Sequence, residues 1–123
     1  MTINNPELFM AGIWDWSILD GCFGDTKITP TDIDGCVERF GHVLYLETKQ
    51  LGVEIPLAQR ILFASLVKKG DSVLVIWGAK NQPQAYQVFS PLYPPPEGMM
   101  IASGDLDGLR KTVCNWFAWA NKP

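Results

Sequence analysis

Asp32-Ile33-Asp34-Gly35-Cys36-Val37-Glu38, followed by Arg39-Phe40-Gly41-His42 and then Val43-Leu44-Tyr45-Leu46-Glu47-Thr48-Lys49, is the stretch of this chain that decides the fold. Its first part alternates: Asp32, Asp34, Cys36 and Glu38 point one way and Ile33 and Val37 the other, the period of a half-buried strand. Arg39 to His42, with its glycine, supplies a turn. Val43 to Lys49 is nearly continuous in apolar residues until Glu47, as expected of a strand buried on both faces. The two strands form an antiparallel hairpin.

Downstream of the hairpin, Gly52 marks a loop and Pro56 stands where proline favours a helix start. The spacing predicts a helix from Leu57 to Lys69, ended by Gly70. Leu62, Phe63 and Leu66 follow Gln59 by three, four and seven residues, so Gln59 falls on the apolar stripe and wants a polar partner. Ser72 to Trp77 is a short apolar run closed by Gly78, a central strand, and Ala85 to Phe89 adds another beyond an Asn81-Gln82-Pro83 turn. Pro91 to Pro96 reads as a stiff extended connector. Leu106, Leu109, Val113, Trp116, Phe117 and Ala120 give an amphipathic C-terminal helix over Leu106 to Asn121, with Trp119 partly off the stripe as a candidate self-association surface. Upstream, Pro6-Glu7 can open a short helix to Met10 or Ala11. The expected architecture is an α/β fold, a mixed sheet flanked by helices, in one domain over residues 1–123.

With 123 residues, 47% hydrophobic and 19% charged, the chain has the composition of a globular domain. Its net charge of -3 argues against a protein that coats nucleic acid by charge alone. The charge is uneven. Residues 1–38 hold seven acids and the single base Lys27, whereas Arg39 to Lys80 hold six bases and three acids. Carboxylates beside a basic segment can hold a divalent cation next to a polyanion. Cys22, Cys36 and Cys114 form no C-x-x-C motif and are odd in number, and His42 is the only histidine. A disulfide framework, a Cys/His zinc site and Ser-His-Asp or Cys-His catalysis are all poorly supplied. No basic segment precedes an apolar one near the start, and no apolar run reaches the ~18 residues of a membrane span, so a cytoplasmic protein that neither enters a membrane nor is secreted is expected.

The chemistry sits in the hairpin. Pro30-Thr31-Asp32-Ile33-Asp34 opens the first strand, and Glu47-Thr48-Lys49 closes the second. Glu47 and Lys49 are two apart and share a face, and antiparallel pairing brings the start of one strand to the end of the other. Carboxylates are the ligands Mg²⁺ accepts, and a nearby ammonium can steady the charge that develops at phosphorus.

This pattern resembles the PD-(D/E)XK nuclease superfamily, particularly its small stand-alone virus-type (VRR-NUC-like) and junction-cleaving members: an acid near a proline, a gap, then Asp/Glu-x-Lys on the neighbouring strand. The likeness spans about Pro30 to Trp77. It implies a restriction-endonuclease-like αβββαβ core and an Mg²⁺- or Mn²⁺-dependent endonuclease acting on duplex or branched DNA. By the same resemblance Asp34 and Glu47 would hold the metal with the Thr48 carbonyl, Asp32 being an alternative or second ligand. Lys49 would orient the attacking water, and Gln59 would reach back to the site from the following helix. Arg39, Lys68, Lys69 and Lys80 are candidate contacts to the DNA backbone. A nuclease this small would grip its substrate as a homodimer. The alternative is a catalytically idle nuclease-like module that binds nucleic acid or a protein partner.

Overall fold

The computed structural model describes residues 12–123, so the helix expected at residues 6–11 lies outside the described residues. The chain divides between Asp32 and Ile33 into two compact units. In the first, a single 3-10 turn, Ser17–Leu19, follows Trp16, whose φ is 65°. Asp15 takes hydrogen bonds from the Ser17 hydroxyl at 2.7 Å and amide at 2.9 Å, and these hold its carboxyl below the ordinary aspartate value. None of residues 12–32 is buried.

The second unit is a five-stranded mixed sheet with a helix on each face. In chain order it comprises β1 (Gly35–Arg39), β2 (His42–Lys49), α1 (Leu57–Lys68), β3 (Ser72–Ala79), β4 (Gln82–Phe89), β5 (Met99–Ile101) and α2 (Leu106–Ala120). The strands lie in sequence order; β2 and β3 are parallel and the other neighbours antiparallel. The α/β class and the mixed sheet are therefore as expected. Among the described residues two strands, not three, precede α1, and the order from Gly35 is β-β-α-β-β-β-α.

The hairpin closes through Phe40 and Gly41, with φ of 50° and 85°, between the paired residues Arg39 and His42. Two consecutive left-handed residues match the right-handed strand twist, and glycine takes the second position without a Cβ penalty. β1 starts at Gly35, three residues later than the alternation suggests, because Asp34 spends its side chain on β2 (below). β4 starts three residues earlier than expected. The register shifts at Trp77/Gly78, and Pro83 lies opposite Gly78, so a residue with no N–H sits at a bulge. A Cβ on Gly78 would stand 2.2 Å from the Gln82 carbonyl oxygen, so only glycine fits there. β5 has only three residues, too few to show a period, and was not foreseen.

The odd-numbered β2 residues face α1. Tyr45, Val73, Val75 and Trp77 pack there with Ile55, Phe63, Val67 and Phe89. The even-numbered ones face α2, where Leu44, Leu46, Leu74 and Ile76 meet Tyr86, Leu109, Val113 and Trp116. Burial, together with the nearby Asp71 carboxylate and Cys36, raises the Tyr45 phenol above its ordinary value. A raised folded-state value favours the protonated form. The resulting stabilisation is complete below the unfolded tyrosine value of about 10 and is lost as pH rises through the folded one. Thermal melts from pH 9 to 12 should show the wild type losing stability more steeply than Tyr45→Phe.

Candidate active site at the end of β2

The α1 face of the sheet turns polar where β2 ends. Up to Tyr45 the odd positions are core; the next two are Glu47 and Lys49, and the first turn of α1 meets them with Gln59 instead of a hydrophobe. Pro56, extended at φ -62° and ψ 154°, caps α1 and accepts the Arg60 amide. This start puts residues 59, 63 and 66 on the sheet-facing side one turn apart. Gln59 donates from Nε2 to Glu47 Oε1 at 3.1 Å, and Lys49 Nζ approaches the same oxygen at 3.4 Å. The Lys49 side chain is 8% exposed and that of Glu47 13%, so the ion pair is largely removed from water. The Gln59 side-chain carbonyl is buried with no hydrogen-bond partner among the described residues. The polar residue that sequence periodicity placed on a buried stripe thus has its partner, with one acceptor still free.

Asp34 reaches the same end of β2 from the other strand. The β1–β2 ladder ends at Gly35 opposite Leu46, and one further step of that register sets Asp34 opposite Glu47. There the Asp34 Oδ2 accepts the Thr48 amide at 2.8 Å and the Thr48 hydroxyl at 3.1 Å. Asp34 thereby replaces the missing backbone acceptor. In an extended strand the N–H and C=O of one residue leave on the same side, so the Thr48 carbonyl also leaves β2 on the side of Asp34. Asp34, Glu47, Thr48, Lys49 and Gln59 therefore gather at one strand end.

Comparison with protein-family models, curated proteins and solved structures returns no match. The site therefore rests on its own geometry.

The other candidates are placed differently. Asp32 belongs to the N-terminal unit, where it accepts the Trp16 indole N–H at 3.1 Å. Lys68 and Lys69 are exposed at the C-terminal end of α1, and Arg39 closes the opposite end of the hairpin. Only Lys80, exposed in the β3–β4 turn, lies at the end of the sheet that carries Glu47 and Lys49. Sequence reading overlooked Trp77. It pairs with Lys49 across the parallel β2–β3 ladder and donates its indole N–H to the Val53 carbonyl at 2.7 Å, tying down the loop before α1. No local pattern shows this, because the parallel register comes from the crossover.

The donor set at the strand end comprises two carboxylates and a backbone carbonyl, all hard oxygens. Among the described residues no three or more His, Cys, Asp or Glu side chains gather in one group. Such a sparse oxygen set suits Mg²⁺, which keeps several waters and takes one or two carboxylates plus phosphate oxygens. A cleft of about 580 Å³ lined by Leu51, Gln84, Tyr86, Ile101, Ser103 and Asp105 contains none of these residues. Among the described residues no helix is long and apolar enough to cross a membrane.

Proposed function

We propose that this protein is an Mg²⁺-dependent nuclease of the PD-(D/E)XK type that hydrolyses DNA phosphodiester bonds. The observation that carries the reading is the trio Glu47, Lys49 and Gln59: an acid and an ammonium two residues apart on one strand, met by a glutamine from the next helix. A buried strand end is a costly place for an ion pair, and its retention there favours chemistry over packing. In this reading β1, β2, α1 and β3 are the later part of the αβββαβ core.

Asp34, Glu47 and the Thr48 carbonyl would hold the cation, and Mn²⁺ would substitute. When bound, Mg²⁺ supplies Lewis-acid activation of water and neutralises phosphate charge. Lys49, already confined beside Glu47, places its ammonium where it orients the attacking water and stabilises charge developing at phosphorus. Gln59 holds the Glu47 carboxylate in one orientation and offers its free carbonyl to a water at the site. Asp34 is fixed by two hydrogen bonds from Thr48, which leaves its second oxygen for the cation. Substrate grip in a chain of this size comes from a second copy of it.

The test is incubation with linear duplex, single-stranded and four-way DNA in Mg²⁺, in Mn²⁺ and in EDTA. Cleavage by wild type in either metal and none in EDTA is expected. Asp34→Ala should lower apparent metal affinity by about tenfold or more, read as a higher metal concentration for half-maximal cleavage. Absence of cleavage of every substrate in both metals would overturn the proposal.

A further inference from the structure

The hairpin turn and the C-terminal half of α2 bring together a second group of residues with no part in the site above. Arg39 lies 3.9 Å from the centre of the Phe40 ring and 6.0 Å from that of Phe117, and its Nε donates to the Asn121 side chain. His42 and Trp119 lie beside this group, their ring centres 4.4 Å apart and inclined by 49°. Phe40 is 49% exposed, Phe117 43% and Trp119 49%. Phe40 and Phe117 share the Arg39 guanidinium, and Trp119, about 200° round α2 from Phe117, is held by the His42 imidazole; three half-exposed rings on residues that meet the hairpin end are more than scattered surface hydrophobes.

The α2 part of this patch lies in a stretch free of acids. The whole chain carries -3, yet from Gly108 to Pro123 there is no Asp or Glu, while Arg110, Lys111 and Lys122 are present and exposed. Arg39 supplies the cation at the rings, and Arg110, two turns before Phe117, lies on the same side of α2. The one acid in the hairpin turn, Glu38, lies on the α1 side of the ladder and accepts the Gly41 amide.

We infer that this surface binds single-stranded nucleic acid, its bases stacking on Trp119, Phe117 and Phe40 and its phosphates facing Arg39 and Arg110. Exposed aromatic faces interleaved with positive charge are what an unpaired strand requires, because every base has a π-face and every nucleotide a negative charge. A second copy of the chain would bring the same cations against each other. A duplex would offer phosphates but no free base faces. The surface is also separate from the nuclease site: His42 leaves β2 on the α2 face and Glu47 on the α1 face, roughly 17 Å further along the strand at about 3.3 Å per residue.

The experiment is fluorescence anisotropy of labelled dT15 in EDTA, where metal-dependent cleavage cannot intervene, alongside a duplex of equal length and sedimentation of the protein alone. Wild type should bind dT15 more tightly than the duplex, and more weakly as salt rises. Trp119→Ala should weaken dT15 binding about tenfold and Trp119→Phe should restore most of it. Arg39→Ala should flatten the salt dependence, and Ser65→Ala, exposed on α1, should bind as wild type. Circular dichroism establishes that each variant is folded. Equal affinity for duplex, or no effect of Trp119→Ala and Phe117→Ala in folded protein, would overturn the inference. A dimer abolished by Trp119→Ala without dT15 binding by wild type would assign the surface to a second copy and also overturn it. Binding without cleavage in any metal would remove the nuclease proposal and leave this one standing; cleavage with unaltered platform variants would do the reverse.

Discussion

Lys49→Met is expected to lower DNA cleavage by about 100-fold or more, the usual loss when one preorganised charge-stabilising donor is removed from an active site. It should also destabilise the fold, and the two effects are separable. The Lys49 and Glu47 side chains are 8% and 13% exposed, so removing the ammonium leaves a carboxylate largely out of water with Gln59 as its one remaining partner among the described residues. Breaking a fully buried pair costs about 3–5 kcal/mol, but the surviving Gln59 hydrogen bond and the residual exposure of Glu47 place this case nearer 1–3 kcal/mol. Glu47→Gln with Lys49→Met removes both charges together and should recover part of that stability while leaving cleavage absent. Urea unfolding of the two single variants and the double variant gives the coupling. A double variant no more stable than Lys49→Met would show that the pair is not what holds this strand end. Full cleavage by folded Lys49→Met would remove the ammonium from the chemistry.

Phe89→Ala should be among the most damaging single changes to the sheet unit. Phe89 is 2% exposed at the end of β4, opposite Val73, with its ring 5.9 Å from that of Phe63 on α1. Truncating a buried phenylalanine costs about 3–5 kcal/mol in lost transfer energy and residual cavity. For a unit of this size that lowers the midpoint of thermal unfolding by on the order of 20 °C. Here the cavity would open between β4 and the helix that positions Gln59, so the same variant should also weaken cleavage by loosening α1. Ile61→Ala is the control. Ile61 is 60% exposed on α1 and should change stability by less than about 0.5 kcal/mol. Differential scanning calorimetry of both variants checks the contrast.

Much of this architecture was legible because it is local. The alternation in β1, the glycine in the hairpin turn, Pro56 and Gly70 at the ends of α1, and the apolar stripe of α2 are each decided by a few neighbouring residues. Gln59 is the most informative case: helical period alone put it on a buried face, and the structure supplies Glu47 as its partner. Boundaries were less legible where side chains compete with the ladder. Asp34 alternates like a strand residue, but its carboxylate takes the Thr48 amide and ends the pairing at Gly35. Pro83 reads as a turn residue, but the bulge at Gly78 admits it into β4.

The sequence by itself determined the hairpin, both helices, the central strand β3 and the acid-x-lysine pair, since these follow from periods of 2.0 and 3.6 residues and from turn chemistry. Only the tertiary structure decided which charged residues meet. Arg39, Lys68, Lys69 and Lys80 are distributed to different ends of the sheet because β2 and β3 run parallel, which carries α1 back along the sheet and its C-terminal lysines away from Glu47. The same long-range pairing sets Trp77 beside Lys49 and packs α2 so that Trp119 meets His42, contacts 28 and 77 residues apart in the chain that no local period encodes.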